Sequence, residues 1–114
     1  MKEHAADHTA VPLSDHAVEL LDEAGGSPAQ RAARTLISGS VQRVTMIALL
    51  AGAELAEHAS PSGASLQVLR GEASLLAGDR VWPLRAGELI AIPPQRHSVQ
   101  AQTDAVLLLT VAID

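Results

Sequence analysis

Two neighbouring blocks decide the reading of this chain. The first is Gly52-Ala-Glu-Leu-Ala-Glu-His58-Ala-Ser60-Pro-Ser-Gly-Ala64-Ser-Leu-Gln67-Val-Leu-Arg-Gly71, and the second is Gly87-Glu-Leu-Ile-Ala-Ile-Pro93-Pro-Gln95-Arg-His97-Ser-Val. In both, short apolar runs (Ser65–Leu69, Leu89–Ile92) lie between glycines and prolines, the residues that end strands and build turns. Between the blocks, Ala73–Leu76 and Val81–Leu84 flank Ala77-Gly78-Asp79-Arg80, a two-residue hairpin signal. Upstream, Gln42–Leu50 alternates, with Val44, Met46 and Ala48 on one face and Arg43, Thr45 and Ile47 on the other. Downstream come His97–Ala101 and Ala105–Ile113. Many short strands with turn signals about every 8–12 residues predict an all-β barrel or sandwich.

The N-terminal part has a different texture. Residues 1–13 read as a polar arm closed by Pro12, and residues 14–114 as one barrel domain. His4 and His8 stand four apart, a spacing that on a helix would allow chelation, although a frayed tail of solvated histidines is the plainer expectation. Ser14 and Asp15 are N-cap types before a helix over 15–24 with Val18, Leu21 and Leu20 as its apolar stripe, and Gly25-Gly26 stops it. Ser27-Pro28-Ala29-Gln30 reads as a turn, with strands from about residue 33.

Composition removes whole classes of function. With 114 residues, 47 % of them hydrophobic, the chain can bury one core. Trp82 is the only aromatic residue, so no base-stacking platform exists, and a net charge of −5 without a basic block argues against nucleic acid and anionic membranes as partners. No cysteine is present, which excludes disulfides, thiol catalysis and Cys-type zinc sites. No apolar run approaches the roughly 18 residues of a membrane span, and the polar, histidine-bearing start does not read as a signal peptide, so a cytoplasmic protein is expected.

The two blocks resemble the paired signatures of the cupin superfamily, whose members fold as a double-stranded β-helix, a jelly-roll barrel. In the first signature a glycine, five residues later His-x-His, then a glutamate and a glycine recur, and Gly52, His58 and Gly71 stand at those spacings. In the second, Gly87 and Pro93 match. The resemblance covers about residues 35–113. It implies a conserved-barrel fold with a short helical lead, and association as a homodimer, which the exposed edge strands of a small barrel also favour.

The resemblance also assigns four metal ligands, three from the first signature and one histidine from the second. Here His58 holds the first position, but Ser60 stands at the second histidine and Ala64 at the glutamate. His97 falls one residue early, and Gln95 replaces a glycine. Two imidazoles remain where a stable divalent site needs at least three protein ligands. Gln67 is the candidate third donor for Fe, Mn, Ni or Zn. Strand alternation turns it outward if Ala64 points inward, whereas a bulge near Gly63 would bring it in. The expectation is therefore no tightly bound metal, with His58, Ser60, Gln67 and His97 lining a pocket for a small, largely apolar molecule. The alternative is a metal-dependent dioxygenase or isomerase using His58 and His97.

Other polar residues have plainer readings beside their functional ones. Arg31, Arg34 and Arg43 have the chemistry to clamp a carboxylate or phosphate, but as edge-strand arginines they are expected to be solvated. Trp82 has the chemistry to stack on a ligand, but is expected to cover the barrel wall or an interface.

Overall fold

The computed structural model describes residues 8–58 and 63–113, with His58 described in its backbone only. One helix, α1 (Leu13–Gly25), precedes nine strands: β1 (Arg31–Ser38), β2 (Gln42–Leu49), β3 (Glu54–His58), β4 (Ala64–Arg70), β5 (Glu72–Ala77), β6 (Arg80–Arg85), β7 (Leu89–Ala91), β8 (His97–Ala101) and β9 (Ala105–Ala112). They form a five-stranded sheet in the order β1-β2-β9-β4-β7 and a four-stranded sheet in the order β3-β8-β5-β6, antiparallel throughout. The strands match those expected, except that the first begins at Arg31.

Two cores lie on opposite faces of the five-stranded sheet. Between the sheets, Ile47, Leu49, Leu66, Val68, Leu75, Val99 and Leu107 pack together. On the outer face, Ala17, Leu20 and Ala24 of α1 pack against Met46, Ala48 and Val106. Strand β2 is thus apolar on both faces because both are covered, one by the second sheet and one by the helix.

Two details of the helix differ from expectation. It starts at Leu13 after Pro12, so Ser14 and Asp15 lie in its first turn and no side chain caps it. Asp15 still opposes the positive end of the helix dipole. The buried stripe is Ala17, Leu20 and Ala24 with Leu21 half-buried, whereas Val18 is 58 % exposed. The two alanines let the helix backbone approach the sheet closely, and that close approach sets its rotation. His4 lies outside the described residues.

Arg34 is not a solvated edge residue, which corrects the sequence reading. Its Nη1 donates to Glu19 Oε1 and to His16 Nδ1, both at 2.7 Å, and its Nη2 to Glu23 Oε2 at 2.6 Å, tying β1 to three turns of α1. Since a guanidinium only donates, His16 accepts through Nδ1 and carries its proton on Nε2. The hydrogen bond from Arg34 holds the Glu19 carboxyl below the ordinary carboxylate value, partly opposed by desolvation. With its folded-state pKa depressed, Glu19 contributes its stabilisation at neutral pH and loses it as pH falls through that lowered value. Arg34→Met is expected to raise the Glu19 titration midpoint, read from its side-chain carboxyl carbon by NMR. An unchanged midpoint would mean that the pair does not persist in solution.

Candidate functional site in the open end of the barrel

The inward residues form successive rows across each sheet, with β2, β9, β4 and β7 in continuous register over these rows and β3 shifting against β8 between Leu55 and His58. In the five-stranded sheet, Ile47, Leu107 and Val68 make one row, and Thr45, Leu109, Leu66 and Ile90 the next. Arg43, Val111 and Ala64 make the third, with the Ile92 N–H donating to the Ala64 carbonyl at 2.9 Å. In the facing sheet, Leu55, Val99, Leu75 and Trp82 form a row. One step further along that face stand His97, with His58 as its register partner on β3, and the Ala77–Arg80 pair.

Burial falls along the rows of the five-stranded sheet, while in the facing sheet the outermost His97 and Ala77 remain 1 % exposed. At one end Leu49, Val68, Ala73, Leu75, Ala105 and Leu107 are fully buried. At the other, Leu55, Ile90, Ile92 and Leu109 are packed against the same core but only partly covered, and Thr45, Ala64 and Val111 are half-buried. Among the described residues, the inner face of the five-stranded sheet is therefore sealed at one end and apolar but incompletely covered at the other.

His97 sits at that open end. It alternates with Val99 and Ala101 on the buried face of β8 and is 1 % exposed, although the second block is one residue short. Pro93-Pro94 restricts the turn before it. A ring nitrogen can satisfy a carbonyl only as a donor, so the 3.1 Å contact between His97 Nδ1 and the Gln95 carbonyl places a proton on Nδ1.

The other sequence candidates are distributed differently. Gln67 is half-buried between inward Leu66 and Val68, so alternation turns it to the outer face, where Leu69 and Leu108 pack against the helix side. The register shift in β4 falls between Val68 and Arg70, not near Gly63, and leaves that parity intact. The structure thus separates Gln67 from His97. The backbone of His58 is opposite His97, while its side chain and all of Ser60 lie outside the described residues.

The inward position of two residues of this end, Thr45 and Arg43, was left open by the sequence reading, whereas Trp82 lies in the barrel wall as expected. Thr45 and Arg43 continue the inward face of β2, but with both faces of that strand apolar, alternation alone did not say which was the interior. Trp82 is half-buried against the core, as a wall residue, and the guanidinium carbon of Arg80 lies 4.7 Å from its ring centroid, a cation–π stack.

The whole arrangement has close structural counterparts. No protein-family model and no curated protein matches the sequence. An RmlC-like cupin from Desulfovibrio desulfuricans is 25 % identical, superposes with a TM-score of 0.66, and is matched over 98 % of this chain and 96 % of that one. The chain has the cupin fold. A conserved protein of unknown function from Streptococcus pyogenes is similar at 26 % identity and TM-score 0.69, over 77 % of this chain and 78 % of that one. The same barrel recurs in a salicylate 1,2-dioxygenase from Pseudaminobacter salicylatoxidans, at 20 % identity and TM-score 0.72, where 84 % of this chain covers 32 % of that enzyme.

Some cupins hold a metal ion in the barrel, and the described residues at this end do not by themselves supply a ligand set. Ala64, at the position of the carboxylate ligand, has an inward side chain with no donor atom, and its inward neighbours Leu66, Leu109, Val111 and Ile92 are apolar. Among the described residues, no three His, Asp or Glu side chains come together. No helix among them is long and apolar enough to cross a membrane.

Proposed function

We propose that this cupin is a binding protein that takes a small, largely apolar molecule into the open end of its barrel, without a tightly held metal. What supports the reading is the burial gradient. Leu55, Ile90, Ile92 and Leu109 face inward yet stay partly uncovered around the deeply buried His97, while the far end of the same core is sealed. Apolar surface left uncovered inside a barrel favours an apolar occupant, which removes it from water at about 25 cal/mol per Å².

The test is thermal melting with a neutral apolar probe, 1-octanol, with Trp82 emission followed in parallel. Trp82 is the sole tryptophan and belongs to the inner wall, so its emission reports occupancy directly. A saturable rise in melting temperature is expected, since a ligand at 100 times its Kd adds about 2.7 kcal/mol to stability. EDTA is expected to leave the melting temperature unchanged, because a site with two protein ligands holds metal weakly. No response to the probe would sink the reading. Stoichiometric Fe, Mn, Ni or Zn in the purified protein, with a chelator-induced drop of several degrees abolished by His97→Ala, would replace it with a metal-dependent enzyme of dioxygenase or isomerase type.

A further inference from the structure

The edges of the two sheets carry different obstacles to the addition of a further strand. β7 is three residues long, and β1 shifts register between Thr35 and Ile37. On β6, the Ala86 N–H donates to the Gly71 carbonyl at 3.1 Å, and in that register Pro83, which has no N–H, turns its nitrogen to the free edge. β3 ends the four-stranded sheet, holds no proline, and pairs regularly with β8 at Glu54 and Leu55. The Ala101 N–H donates to the Ala53 carbonyl at 3.0 Å, so alternation directs the N–H and carbonyl of Glu54 away from β8, to the open side. That carbonyl is taken. Arg31 Nη1 donates to it at 2.9 Å.

The guanidinium comes from the other sheet. Arg31 opens β1 and lies on the same face of that strand as Ala33 and Thr35. Ala33 pairs with Ile47, which is buried between the sheets, yet Ala33 is exposed, as is Thr35. β1 therefore overhangs the edge of the facing sheet at β3. A strand added to β3 would find a backbone ladder on one side and the short side chains of Ala33 and Thr35 above it, a setting that suits an extended segment. Further along β3, Arg96 Nη2 donates to the Glu57 carbonyl at 3.3 Å.

We propose that Arg31 guards the β3 edge: its guanidinium holds the Glu54 carbonyl and keeps two copies of this chain from joining through β3. The inference is independent of what the barrel binds. Two such edges can pair antiparallel about a two-fold axis, and the first groups to meet are the outward N–H and carbonyl of Glu54. With Arg31 in place, a second strand has to displace a hydrogen-bonded cation or bury it, and both cost free energy.

The test is sedimentation velocity over a concentration series for the parent, Arg31→Ala, Arg31→Met and, as a charge control, Arg85→Ala, with melting curves to show that each is folded. Arg31→Met keeps an apolar stem and loses the donor, so it reads the proposal should the alanine variant lose its fold. Both Arg31 variants are expected to form a concentration-dependent species of about twice the parent mass. Losing one cation takes the net charge from −5 to −6, which opposes self-association, so the gain does not come from charge. Hydrogen exchange is expected to show the Glu54 amide protected at high concentration in these variants and not in the parent. Adding Glu54→Pro to Arg31→Met removes that N–H and is expected to restore the parent mass. Folded Arg31 variants that keep the parent mass would overturn the proposal and leave Arg31 as a tie between the sheets. Association that Arg85→Ala shares, or that Glu54→Pro does not reverse, would overturn it as well.

Discussion

Gly71→Ala is expected to cost about 3–5 kcal/mol, a large share of the stability of a domain of this size. Gly71 joins β4 in one sheet to β5 in the other, with φ at +77°, where a side chain is strained by roughly 1–3 kcal/mol. At this position a Cβ would also run into the backbone carbonyl of Asp104 and come within 2.7 Å of Thr103 Oγ1. Neither neighbour can give way easily. Thr103 Oγ1 accepts from the Glu72 N–H at 3.0 Å, and Asp104 Oδ1 accepts from the Ala51 N–H at 2.8 Å, so the 103–104 turn is bonded both to the start of β5 and to the turn between β2 and β3. Gly52 is the internal control, with φ at +88° but open space around a Cβ, and Gly52→Ala is expected to cost only the backbone strain. Urea denaturation of both variants measures the difference. Equal losses would show that the 103–104 turn moves aside, and that strain alone accounts for Gly71.

Leu107→Ala is expected to cost about 2–5 kcal/mol, whereas Leu109→Ala is expected to cost clearly less. Both leucines face inward on β9, one row apart, and they differ in cover: Leu107 is fully buried between Ile47 and Val68, while Leu109 is half-buried in the next row. A deletion at the sealed end leaves a cavity in a tightly packed region. At the open end it enlarges a space that is already partly accessible, so less is lost. Leu107→Met, which nearly conserves volume, is expected to cost under about 1.5 kcal/mol. The comparison tests the burial gradient independently of any ligand. Equal losses at 107 and 109 would mean that the barrel is sealed at both ends in solution, and would remove the support for an internal binding site.

The strand framework of the cupin fold was legible in the residues because short-range rules govern it. Glycines and prolines at Gly52, Gly71, Gly87 and Pro93 end strands and turn the chain wherever they occur, and alternation in Gln42–Leu50 and His97–Ala101 follows from backbone geometry. Ala64 at a ligand position is likewise a fact of sequence, since an alanine carries no donor in any fold. The parity of Gln67 was legible only conditionally. It hung on where β4 is irregular, and the shift after Val68, determined by how β4 pairs with β9, leaves the glutamine outside.

What tertiary structure alone decided concerns which surfaces are covered. Val18 and Ala17 are equally compatible with a helical stripe, and the buried choice of Ala17 depends on how closely α1 can approach Met46 and Ala48 across the sheet. Arg34 reads as an edge residue until α1, in a preceding stretch of chain, folds back to place Glu19, Glu23 and His16 around it. Backbone preference and alternation act within a few residues and can be read locally. The cover of a face, the sealed or open end of a barrel and the company of a charge depend on contacts between distant segments, which exist only once the chain has folded.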